Sequence, residues 1–271
     1  MRLHEFILAA AVSLLAWTNG VQGQTGPSAD EYVRLAEESN RNSNRDAAVE
    51  FYEKAAAEFE RLGNAEKLVN SYNQIGIILT RQDKYEKARS YLDKALAAAS
   101  KSLKPDDPLI ATTYISLGVV ASAENRFDES LSFHAKALNI RLQRFGENSS
   151  DVATSYGNIG NVYFRMKDYD NAIKAHRNAM QIREKVFGKD SPQIAESYRG
   201  LGNVYREKKE YSTAVDYFEE ALTNKIKQLG EEHKDLARYY RDVSEVHILA
   251  GEKAKGEEYK LKAERLEKPT Q

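Results

Sequence analysis

Tyr114, Tyr156, Tyr198 and Tyr240 stand 42 residues apart, and their neighbours keep the same step. Ala111, Ala153, Ala195 and Ala237 lie three residues before each Tyr, and Gly118, Gly160 and Gly202 lie four residues after the first three. Ala137, Ala179, Ala221 and Ala263 close each unit. A fixed period of roughly 20–50 residues means stacked copies of one supersecondary unit, none of which can bury its apolar face alone. The chain is thereby constrained to one continuous array, and the pattern points to binding rather than to chemistry.

The fourth copy shows what the unit is. Val152, Tyr156, Ile159, Val162 and Tyr163 are spaced for one face of a helix. After a polar break, Tyr169, Ile173, His176, Met180 and Ile182 make a second apolar stripe, and Asp168 stands where a helix N-cap is expected. Each unit is therefore a helix pair, A then B. Glycine inside a helix costs roughly 1 kcal/mol relative to alanine. The recurring glycine of helix A thus implies close approach by helix B, with Ala172 and Ala214 serving the same end from the B side. The B helices are expected to end at Gly146, Gly188 and Gly230, which suit a C-terminal cap. Pro108 and Pro192 fall near the start of the next A helix, where a missing N–H is harmless.

The order Tyr156, Ile159, Gly160, Tyr163, Tyr169, Ala172, Ala179 resembles the signature of the tetratricopeptide repeat. It recurs as Tyr198, Leu201, Gly202, Tyr205, Tyr211, Ala214, Phe218, Ala221. The usual period of that family is about 34 residues. The longer period here, with segments such as REKVFGKDSPQIAESY, resembles the repeats of kinesin light chains, although the long heptad segment that precedes them in that family is missing. The resemblance covers roughly residues 30–265. It implies an all-α fold, a right-handed solenoid of about six antiparallel helix pairs. The expected repeats are 30–67, 68–109, 110–151, 152–193, 194–235 and 236–268. The sixth departs from the pattern: Ser244 replaces Gly, Lys253 the aromatic and Gly256 the Ala. Its last helix is heavily charged, as a terminal capping repeat requires.

The first residues form a different object. Arg2, the apolar run Phe6–Trp17 and the small-residue site Val21-Gln22-Gly23 make a secretory signal peptide pattern over residues 1–23. Residues 24–29 read as a linker. Export, to a periplasm or out of the cell, is the expected destination, with no stable membrane span once the signal is cleaved. The chain has no cysteine, so stability must come from the stacked core rather than from disulfides. The formal net charge is −1, which argues against nucleic acid as a partner.

No catalytic motif is present, and neither an enzyme nor a cofactor is expected. His134 and His176 are 42 residues apart at the helix B position held by Phe218, and read as packed rings rather than metal ligands. His233 and His247 read as surface residues.

The resemblance places function on the concave face lined by the A helices. The candidates it implies there are Asn158, Asn161 and Arg165, then Arg199, Asn203 and Arg206, then Arg241, as a peptide-binding set. Asn73, Gln74, Ile77, Arg81, Ile115, Ser116, Val119, Ser122, Gly157, Phe164 and Gly200 share the same face by register. Asparagine offers a donor and an acceptor together, so it can pair with an extended peptide backbone. Arginine adds a forked donor for carboxylates, which suits an acidic segment or a C-terminus. Glu207, Asp242 and Glu245 oppose this, since they can neutralise the arginines. The expected function is binding of a protein or peptide in the groove, as an adaptor or scaffold. The alternative is a structural scaffold that self-associates.

Overall fold

The structure is a computed structural model that describes residues 26–267. The expected signal peptide, the first two linker residues and residue 268 lie outside the described residues. Among the described residues there are twelve α-helices, two short 3-10 turns and no strand. The A helices are α1 (Ala29–Arg41), α3 (Ala65–Thr80), α5 (Pro108–Ala123), α7 (Ser150–Arg165), α9 (Ala195–Glu207) and α11 (Ala237–Leu249). The B helices are α2 (Arg45–Arg61), α4 (Tyr85–Ser102), α6 (Phe127–Phe145), α8 (Tyr169–Phe187), α10 (Tyr211–Leu229) and α12 (Lys253–Glu267). The expected alternation of A and B is thus observed. The described helices group into two compact units, divided between Glu124 and Asn125.

In the first unit α1 pairs with α2 and α3 with α4, and α5 packs on both α3 and α4. Its seams are built from small residues against larger ones. Ala55, Ala56, Phe59 and Leu68 are buried in one cluster with Ala29. At Gly76 an added Cβ would lie 2.5 Å from Leu92 Cδ2, so only glycine admits that Leu side chain.

In the second unit α7 pairs with α8, α9 with α10 and α11 with α12, while α6 packs on α7. Tyr198, Leu201, Phe218, Tyr239, Tyr240 and Val243 anchor one apolar cluster in it. The recurring glycine acts here as the sequence implies. A Cβ on Gly202 would meet the Phe218 ring at 2.9 Å. The last two A helices begin differently from expectation. Pro192–Ile194 and Lys234–Leu236 form 3-10 turns ahead of α9 and α11, and each drives a fully buried side chain, Ile194 or Leu236, into the core.

The turns repeat as strictly as the helices. Each A-to-B turn carries one residue in the left-handed region: Ser43, Asp83, Asn125, Lys167, Lys209 and Gly251, with φ between 57° and 89°. After α7 the N–H of Lys167 donates to Phe164 O and that of Asp168 to Tyr163 O, both at 2.9 Å. This paired closure satisfies carbonyls that a helix end otherwise orphans. Asp168 then caps α8 by accepting from the Asn171 N–H at 3.2 Å. The three longest B helices end as predicted, with Gly146, Gly188 and Gly230 at φ 74°, 88° and 78°.

Candidate functional site

Helical spacing alone brings the candidate residues of the second unit onto one side. On α7, Asn158, Asn161 and Arg165 follow an i, i+3, i+7 pattern; on α9, Arg199, Asn203 and Arg206 follow i, i+4, i+7. Asn161, Arg165 and Arg241 are exposed, and the other four are half-buried. None of the seven is fully buried.

The arginines are engaged by the protein itself. Arg199 Nε donates to Asp242 Oδ2 at 2.5 Å, and Arg206 Nη1 to Glu245 Oε2 at 2.7 Å. Arg241 Nη2 lies 3.2 Å from Glu267 Oε1. Arg165 donates to Asn125 Oδ1 at 3.3 Å and lies over the Phe127 ring, 5.5 Å from its centroid. Burial by itself would lower the pKa of Arg199, but the hydrogen bond and charge of Asp242 outweigh it and raise the pKa. The amides differ from the guanidiniums. Asn158, Asn161 and Asn203 make no side-chain hydrogen bond among the described residues.

A second set of contacts fastens α9 to α11. Glu196 Oε1 accepts from Arg238 Nη2 and from the Tyr239 hydroxyl, each at 2.6 Å. Burial would raise the Glu196 pKa, but these donors and Arg199 overcome it and hold the carboxyl below its usual range. Burial and the same carboxylate push the Tyr239 hydroxyl up.

The family model of the tetratricopeptide repeat matches residues 32–97, 67–143 and 151–227, well over half of the chain. The chain belongs to the tetratricopeptide repeat family. Solved structures agree on the fold. This tetratricopeptide repeat protein is similar to BtubC (BKLC) from P. vanneervenii, with TM-score 0.65 and 22% identity over 87% of this chain and 90% of that one. It is similar to the nearly identical TPR-like repeats of a Podosopora anserina protein described as a kinesin light chain, with TM-score 0.60 and 15% identity over 73% and 94%. A tetratricopeptide repeat protein from Parabacteroides merdae matches with TM-score 0.56 and 15% identity over 90% and 82%. None of the curated proteins matches this chain. The kinesin-light-chain character of the repeats is thereby supported at the level of fold.

Within the tetratricopeptide frame, several residues read as groove-facing turn inward. Asn73 is fully buried; it accepts from the Thr113 hydroxyl at 2.8 Å and donates to Leu109 O at 3.4 Å, tying α3 to α5. Ser116 and Ser122 are buried as well. At Gly200 an added Cβ would lie 2.6 Å from His176 Nδ1, so that position faces the preceding B helix and not the groove. Asn158 holds the same register one repeat earlier, which leaves Asn161 and Asn203 as the outward pair of amides.

The histidines divide. His134 and His176 are buried rings, as read from the sequence, and burial with a nearby arginine lowers each to about 4. The His176 ring lies between Gly160 and Gly200, whose added Cβ atoms would approach it to 2.8 and 2.6 Å. His247 is not a surface residue: it is fully buried. Its Nε2 lies 3.0 Å from Glu219 Oε1 and its Nδ1 2.9 Å from Glu252 Oε2, and its ring stacks on Tyr259 at 5.6 Å. The repeat itself carried the signal, because His247 follows Tyr163 and Tyr205 at the 42-residue step. The same step marks Arg141 and Arg183. Arg141 Nη1 donates to Asp151 O at 2.8 Å, and Arg183 Nη1 donates to the Ser197 hydroxyl, each linking a B helix to the next A helix.

Proposed function

We propose that this chain binds an extended protein segment along the A-helix face of α7 and α9, as an adaptor or scaffold. The fold itself serves protein–protein interaction and scaffolding. The observation that carries the reading is the pair Asn161 and Asn203, which hold one register position in consecutive A helices and make no side-chain hydrogen bond among the described residues. Amides at a fixed step, exposed at Asn161 and half-buried at Asn203, can accept from and donate to a peptide backbone without selecting its side chains. Two such residues on a rigid scaffold lower the cost of ordering a bound strand.

The test is capture of partners by the full chain and by Asn161→Ala/Asn203→Ala, with circular dichroism as a check on folding. A partner held by the first and lost by the second supports the reading. Equal capture by both would move the site off this face. Concentration-dependent oligomers with no captured partner would favour a self-associating scaffold instead.

We further propose that residues 1–23 direct export, on the strength of the leader pattern alone. Cell fractionation and N-terminal sequencing test it, with Gln24 expected as the first residue of the exported chain. Retention of residues 1–23 on a cytosolic protein would overturn it. Among the described residues no helix is long and apolar enough to cross a membrane.

A further inference from the structure

The charges on the binding face decide what kind of segment it takes. Along α9 and α11 the candidate arginines Arg199, Arg206 and Arg241 are each held by a carboxylate from further along the chain. Arg199 and Asp242 are well shielded, with side chains 29% and 15% exposed. The Arg206 side chain is 18% exposed, pairs with Glu245 and lies over the Phe218 ring, 5.8 Å from its centroid. Charges attract more strongly in such places than at an open surface. Arg241 and Glu267 are 62% and 44% exposed, and a pair of that kind is worth little.

A ligand carboxylate reaching Arg199 or Arg206 would have to displace one that the fold already holds in place. The resident carboxylate loses no translational freedom on pairing, whereas the incoming one does. Resting on the groove reading above, we propose that the bound segment is uncharged where it faces α9 and α11, and that Asp242 and Glu245 are built-in occupants that exclude acidic segments. Specificity then has two parts. Asn161 and Asn203 hold the backbone, and the two carboxylates reject the wrong side chains. This reverses the acidic preference expected from the arginines alone.

The test is selection of random peptides from a displayed library against three proteins: the full chain, Asp242→Asn/Glu245→Gln, and Asn161→Ala/Asn203→Ala. The native chain is expected to select peptides without enrichment of Asp or Glu. Those peptides should bind the asparagine variant roughly tenfold or more weakly, the loss expected for two backbone hydrogen bonds. The charge variant, with its arginines released, should enrich Asp or Glu. Acidic peptides selected as strongly by the native chain as by the charge variant would overturn the proposal while leaving the groove reading intact. Binders indifferent to Asn161 and Asn203, or no binders at all, would overturn the groove reading and this proposal with it. Should the double charge variant fail to fold, Glu245→Gln alone carries the test, since that carboxylate is 59% exposed.

Discussion

At the scale of single residues, two buried rings set an acid limit on this fold. His134 and His176 have their pKa lowered to about 4, by burial first and by Arg141 or Arg183 second. The ordinary histidine value is 6.5. Between about pH 6.5 and 4 the unfolded chain binds protons that the folded chain refuses, so stability falls as pH drops through that window and levels off below it. By linkage each ring accounts for roughly 3 kcal/mol of this loss by pH 4. Phe218 fills the same register against Gly202, so phenylalanine is a compatible replacement. Nδ1 of His134 is buried with no hydrogen-bond partner among the described residues, so that exchange breaks no contact there. The variant His134→Phe/His176→Phe should match the native chain in urea midpoint near pH 7 and exceed it clearly at pH 5. An unchanged pH profile would show that neither ring stays neutral in the fold. These rings were legible in the sequence because their repeat neighbour is Phe. His247 was not, because a lone histidine carries no burial signal of its own and its register is marked instead by Tyr163 and Tyr205.

At the scale of the element, the A-to-B turn is the most uniform part of the chain. Its left-handed residue is Gly only once, at Gly251, and is Lys in the two preceding turns. A side chain in that conformation costs about 1–2 kcal/mol, partly offset because glycine loses more freedom on folding. Lys209→Gly should therefore stabilise the chain by about 0.5–1 kcal/mol, read as a rise in thermal or urea midpoint. A fall would mean that the Lys209 side chain contributes more than its backbone costs. Helix order, cap glycines and the Asp168 cap could all be read ahead of the structure, since each is written in a few local residues. The 3-10 turns before α9 and α11 could not. Residues at the same register, Ile110 and Val152, are buried without such a turn, so the apolar pattern does not reveal it.

At the scale of the whole chain, the sequence specifies the repeat more fully than the surface it presents. The period gave the helix pairs, because apolar spacing and small residues leave little choice of partner. It placed the binding face less well. Asn73 and Gly200 occupy positions that register assigns to the groove, yet each serves the seam between neighbouring repeats. Whether a polar residue on an A helix faces outward or into that seam depends on the side chain opposite, such as Thr113 or His176, and periodicity does not reveal this. Asp242 and Glu245 were legible as residues able to neutralise the arginines, but the pairing of each with one arginine a repeat away was not.

The contrast between the two kinds of turn marks where this chain can be opened. In the turn after α7, Lys167 and Asp168 close the A helix, and Asp168 also starts the B helix, so no residue there is spare. The connections after Gly146, Gly188 and Gly230 are longer, mostly exposed, and capped by glycine alone. A short Gly/Ser insert after Gly188 should leave the melting point within a few degrees, because added loop length costs only about 0.6 kcal/mol per doubling. The same insert after Lys167 should lower it sharply, and equal melting points would show that the paired closure adds nothing. The helix pair, cut from glycine to glycine, is thus the unit in which this protein can be spliced, shuffled or fitted with a label.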